Sequence, residues 1–128
     1  FIVIAKATPS YCRAAFSSPP MNLENTNFFL CFHALIDKIG NDDLVNVIVF
    51  DSSVEYFWIA QWDIINNPPS NLTSDNGVYW SNITKLASLP VLTVVAIRTI
   101  ARGGWEVPHC WILAPALQQQ ISQSNVVV

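Results

Sequence analysis

The residues best equipped for chemistry lie in one short stretch, Arg102-Gly103-Gly104-Trp105-Glu106. Gly103 and Gly104 are the only adjacent glycines in the chain. Lacking a Cβ, they let the backbone turn sharply or approach another group closely. A helix starting at Glu106 leaves their amides as N–H donors at its positive end, suited to an anion or oxyanion; the same residues also make a plain tight turn. Glu106 is a candidate general acid/base, or a helix-start acid facing the dipole. Asp51-Ser52-Ser53 follow an apolar run, at the end of the strand where open α/β sheets place their sites. Asp63 reads as a turn cap rather than a reacting group. His109-Cys110 is a poor nucleophile pair, because adjacent helical residues do not face each other and no third group orients them. Two His and three scattered Cys offer no metal-ligand spacing, so no metal is expected.

Several elements must position these groups. Val91, Leu92, Val94, Val95, Ala96 and Ile97 form an apolar run between Pro90 and Arg98. Such a run predicts a strand buried on both faces, as in parallel sheets. Val45–Phe50 predicts a second strand, and Tyr11–Phe16 a short third one stopped by Ser17-Ser18-Pro19-Pro20. Asn22 and Asn25 both offer N-caps for a helix running to about Ile39. Phe28, Phe32, Leu35, Ile36 and Ile39 supply its apolar stripe, His33 is one of its half-exposed residues, and Gly40 is its stop. Tyr56–Ile64 reads as a short strand and a turn, and Asn66–Gly77 as a polar loop. Trp80, Ile83, Leu86 and Ala87 mark a second helix ended by Pro90. The order β-α-β-β-α-β favours parallel strands joined by crossovers. Residues 1–106 form the core on this reading; 107–128 are a divergent tail, a helix over Val107–Leu117 followed by disorder.

With 128 residues the chain makes one domain, and at 52% hydrophobic and 12% charged it is richer in apolar residues than most soluble chains. The net charge is −3 and the six basic residues do not cluster, which excludes nucleic acid as a partner. No apolar run approaches the roughly 18 residues of a membrane span, so no membrane partner is expected. Phe1–Ala5 lacks the features of a signal peptide, and the first residue is not Met, so the chain reads as a processed or excised piece. Cys12, Cys31 and Cys110 are odd in number and far apart, which fits a reducing, intracellular compartment. Sequons at Asn71 and Asn82 are no more than chance supplies.

Taken together, VNVIVFDSSVEYFWIAQWD (residues 45–63) and LPVLTVVAIRTIARGGWE (89–106) resemble the crotonase superfamily of enoyl-CoA hydratases and isomerases. That family pairs a V-x-V-V-V-F-x-S strand with an F-x-A-G-x-D turn, and later a P-V-x-A-A-I-x-G strand with a glycine turn and an acid. Ser18-Pro19-Pro20-Met21-Asn22 is similar to the P-x-N turn after the family's first strand. The resemblance implies an α/β ClpP/crotonase spiral of β-β-α units that binds an acyl-coenzyme A thioester as substrate, with no permanently bound cofactor. It implies an oxyanion hole formed by the amides of Trp62 and Gly104; one such donor is worth about 3–4 kcal/mol in a comparable site. Ala60, Gln61, Trp62, Asp63 and Gly103 would line the coenzyme A path, with Glu106 as the catalytic acid/base. Homo-oligomers built from trimers are implied as well.

Gly103-Gly104-Trp105-Glu106 is one residue shorter than the family's G-x-G-x-E, which turns the following helical positions by about 100°. The second glutamate of family hydratases and the half that completes the spiral have no counterpart in the 128 residues, so a spiral incomplete at its C-terminus is expected. Two other readings stand beside this one. The chain is a non-catalytic crotonase-like member, or Trp58, Trp62 and Trp80 form an aromatic binding platform.

Overall fold

The computed structural model describes residues 1–66, 72–98 and 100–102. Six elements follow one another: β1 (Ile2–Thr8), β2 (Tyr11–Phe16), α1 (Thr26–Gly40), β3 (Val47–Ser52), α2 (Leu72–Ser88) and β4 (Leu92–Val95). They build one four-stranded sheet in the order β1-β2-β3-β4. β1 and β2 are an antiparallel hairpin, whereas β2–β3 and β3–β4 are parallel pairs bridged by α1 and α2. This is the mixed α/β architecture expected, opening on a β-β-α unit.

β-branched and aromatic residues make the strands, and alternation decides their faces. Cys12, Ala14 and Phe16 of β2 and Ile48 and Phe50 of β3 point to one side. There they meet the α1 stripe of Phe28, Phe29, Phe32, Leu35, Ile36 and Ile39, with Ile83 and Leu86 from α2. Phe16 is the centre of this core, 5.1 Å from Phe28, 5.9 Å from Phe50 and 5.0 Å from Trp58 between ring centroids. Burying one such side chain contributes roughly 1.5–3 kcal/mol. The two helices are also tied by polar contacts. His33 Nδ1 meets Asn82 Oδ1 at 2.6 Å, and Asn82 Nδ2 donates to the Phe29 carbonyl at 3.0 Å. Lys85 pairs with Asp37. The Asn82 sequon is therefore sealed in the folded chain.

Several expectations need correction. The order is β-β-α-β-α-β, because Ile2–Thr8 is a strand and Tyr56–Ile64 is not. Phe1–Ala5 has no alternation that would have marked it, since β1 is an edge strand exposed over most of its length. β3 runs two residues later than expected, to Ser52, because Asp51 and Ser52 stay in register with Ala15 and Phe16. The last strand is only Leu92–Val95, and its residues alternate exposed and half-buried rather than being buried on both faces. No helix covers that second face among the described residues. α2 begins at Leu72, inside the stretch read as a loop. Asn25, not Asn22, caps α1, accepting from Phe28 N–H at 2.9 Å. Gly40 is the last residue of α1 rather than a stop beyond it. A Cβ there would stand 3.0 Å from Leu89 Cδ2, so its smallness serves close packing.

Candidate functional site

β3 delivers the chain to an irregular segment, residues 53–63, that contains the alanine turn read from the sequence. Its organiser is Asn22, 2% exposed and in the left-handed region at φ 52°. Asparagine tolerates that conformation better than most residues. Its Oδ1 accepts from Ser18 N–H at 2.7 Å. Its Nδ2 donates to Ser52 Oγ at 2.9 Å and to the Trp58 carbonyl at 2.9 Å. Ser52 in turn donates to the Phe57 carbonyl at 2.6 Å. One buried amide thus joins the turn after β2, the end of β3 and the start of the alanine turn. The sequence marked Asn22 only as a cap or as part of a P-x-N turn; its burial is what reveals this role.

The turn itself is held by backbone. Ala60 N–H donates to the Met21 carbonyl at 3.2 Å. Glu24 N–H donates to the Gln61 carbonyl at 3.0 Å, and Asp63 N–H to the Glu24 carbonyl at 2.8 Å. Glu24 and Trp62 form a parallel bridge. Because residue 24 bonds residues 61 and 63, the intervening Trp62 directs its own N–H away from residue 24. Glu24 is a buried acid that the sequence reading did not single out. An isolated Glu between Leu23 and Asn25 carries no signal of burial; the bridge to Trp62 creates it.

Asp63 is a turn cap, as read. Its Oδ1 accepts from Asn66 N–H at 3.0 Å, and the Asn66 side chain reaches Oδ2 at 2.9 Å. Those bonds, the backbone one first, hold the Asp63 carboxyl below the usual aspartate value. Ala60 is buried, Gln61 exposed, and Trp62 half-buried, stacked on Phe29 at 5.8 Å.

The second half of the predicted site approaches from β4. Trp58 N–H donates to the Ile100 carbonyl at 2.9 Å, Ile100 N–H to the Tyr56 carbonyl at 3.2 Å, and Arg102 N–H to the Ile59 carbonyl at 3.2 Å. The residue before Gly103 is therefore bonded to the residue before Ala60. Gly103, Gly104 and Glu106, like His109, Cys110 and the tail 107–128, lie outside the described residues.

Asp51, at the end of β3, is buried on the helix-free side of the sheet. Its Oδ2 accepts from Arg13 at 2.7 Å and lies 3.2 Å from an Arg98 guanidinium nitrogen, while its Oδ1 accepts from Ser52 N–H. These bonds make it part of the strand ends rather than of the turn. The aromatic platform is not formed. Trp58 is fully buried in the core, Trp62 is stacked on Phe29, and only Trp80, 59% exposed, offers a surface. Among the described residues Cys12 is buried and Cys31 exposed, both free, and no cluster of three or more His, Cys, Asp or Glu could hold a metal ion. No helix among them is long and apolar enough to cross a membrane.

Neither a protein-family model nor a curated protein matches the sequence. Solved structures do match the fold. An enoyl-CoA hydratase from Bacillus anthracis superposes with a TM-score of 0.72 at 16% identity, covering 80% of this chain and 42% of its own. An enoyl-CoA hydratase from Geobacillus kaustophilus gives 0.70 at 20%, covering 77% and 38%. The human mitochondrial delta3-delta2-enoyl-CoA isomerase gives 0.66 at 17%, covering 77% and 40%. The structural neighbours are enoyl-CoA hydratase/isomerase proteins, and the chain has their fold over a span of about two fifths of their length.

Proposed function

We propose that this chain is a crotonase-family protein that binds an acyl-coenzyme A thioester and stabilises its enolate with two backbone amides, those of Trp62 and Gly104. The observation that carries the reading is the Arg102 N–H bond to the Ile59 carbonyl. It joins the two segments from which the donors come, one residue short of Gly103 and one residue short of Ala60. The Asn22 network supports it, since preorganised donors stabilise developing charge without reorganising during reaction. Gln61, exposed on the turn, lines the coenzyme A path together with Ala60, Asp63 and Gly103. No resident cofactor takes part; the coenzyme A is substrate.

Adding water across an enoyl-CoA double bond calls for one carboxylate to activate water and a second acid to protonate carbon. Glu106 alone fits a lesser task, shuttling one proton between two carbons of an enolate, which moves a double bond. Double-bond isomerisation, or thioester binding without turnover, is therefore the activity expected.

Retention of the purified chain on immobilised coenzyme A tests the binding half of the proposal, and failure to be retained overturns it. Glu106→Gln tests the chemical half: turnover of a 3-enoyl-CoA should disappear while retention persists, because the hole uses backbone groups. Hydration of crotonyl-CoA at an ordinary enzymatic rate would contradict the single-carboxylate account.

A further inference from the structure

Ser17 N–H donates to the Phe1 carbonyl at 2.9 Å, and the β1–β2 register continues through Val3↔Ala15, Ile4↔Ala14 and Ala5↔Arg13. Hydrogen-bonded and non-hydrogen-bonded pairs alternate in an antiparallel ladder. Phe1, Val3 and Ala5 thus turn their backbone groups towards β2, and Ile2, Ile4 and Lys6 turn theirs outward. Among the described residues no strand and no backbone hydrogen bond meets that outer edge.

Edges are usually blunted by charge, proline, a bulge or a cover. Here Phe1–Ala5 is uncharged and without proline, Val3 is 57% and Ile4 40% exposed, and the one register shift comes after Lys6. Lys6, the only charge on the strand, is matched by Asp42 at 2.6 Å. Only an extended backbone satisfies a row of outward N–H and C=O groups.

We propose that the occupant is β1 of a second copy of this chain, running antiparallel about a two-fold axis at Ile4 and joining two four-stranded sheets into one. The strand itself sets this register. Centring on Ile4 pairs all three outward residues, Ile2 with Lys6 of the second copy, Ile4 with Ile4, and Lys6 with Ile2. Centring on Val3 leaves Lys6 unpaired, and centring on Ala5 requires Thr8, which lies past the register shift. At the Ile4 centre the exposed Val3 faces Ala5 of the second copy and the two Ile4 side chains cover each other. Each lysine, with its aspartate, faces an isoleucine, so no like charges are opposed. The contact is isologous and closed, which makes it self-limiting.

Light scattering on the full chain should give a dimer or an even multiple of one. Ile4→Pro removes the outward N–H at the centre of the contact and none of the bonds from β1 to β2. It should halve the mass, or raise the dissociation constant at least about tenfold, through two lost hydrogen bonds. Should that variant fail to fold, Ile4→Cys decides, in a chain whose Cys31 and Cys110 are serine. A hydrogen-bonded pair sets Cα atoms about 5.5 Å apart, within disulfide reach, so oxidation should link two copies. A monomer or trimer at about 100 μM, where specific contacts of even modest affinity are populated, an oligomer that Ile4→Pro leaves intact, or an Ile4→Cys chain that stays unlinked would each overturn the proposal.

Discussion

The helix-bearing core and the segment from Ser52 to Asp63 lie side by side, yet they are held together by different physics. The core is apolar side chains meeting across two periodicities, α1 on one side and alternate residues of β2 and β3 on the other. Residues 52–63 have almost no regular structure; one buried amide, a serine hydroxyl and backbone bonds to residues 21–24 and 100–102 hold them. Apolar packing is tolerant of exchange and tells little about position to better than a side chain. Hydrogen bonds fix atoms to a few tenths of an ångström, and a backbone donor needs that accuracy. Where the chain must be stable it uses the first, and where it must be exact in geometry it uses the second.

Removing a ring from the core should have the largest effect. Phe16→Ala deletes the side chain at the centre of the aromatic cluster and should lower unfolding stability by about 3–5 kcal/mol, read from urea denaturation. What remains folded should still be retained on coenzyme A. Asn22→Ala should cost less, about 2–4 kcal/mol, from stranding the Ser18 amide and the Trp58 carbonyl. It should nonetheless weaken coenzyme A retention more than Phe16→Ala does, because the turn loses its register. If the two variants lose retention in proportion to stability, the distinction between the regions fails.

The smallest effect is on pH. Asp37 is held below its ordinary value of 3.8 by a hydrogen bond from Lys85, Asp42 by one from Lys6, and Asp63 by the Asn66 amide. A carboxyl lowered in the folded state contributes stability that is present above its unfolded value and lost as pH falls towards the folded one. The melting temperature should therefore be flat from neutrality to about pH 5 and then decline through pH 4 and below. His33→Gln should leave that acid limb in place; a variant without it would mean that these aspartates are not its source.

Much of the core was legible in the sequence because burial leaves a period. The stripe Phe28, Phe32, Leu35, Ile36, Ile39 identified α1 to within a residue or two of its ends, and Asn25 capped it as a short polar residue should. β1 left no period, because an edge strand exposed over most of its length has no buried face to alternate with. α2 began early because a helix over Leu72–Gly77 contains polar residues and a glycine that local propensity assigns to a loop. At the candidate site, motif spacing sufficed to bring residues 57–63 and 100–102 into one reading, and they are hydrogen-bonded neighbours. The roles of Asn22 and Glu24 were not legible, since both arise from contacts between segments more than 30 residues apart.

The central claim is that backbone amides grip a thioester carbonyl, and vibrational spectroscopy reads that bond directly. An acyl-coenzyme A carrying a ¹³C-labelled thioester carbonyl, bound to the full chain, should show its carbonyl stretch moved to lower frequency than in free solution. The shift should persist in Glu106→Gln and shrink in Asn22→Ala. A bound thioester whose carbonyl stretch stays at its solution frequency would contradict the account.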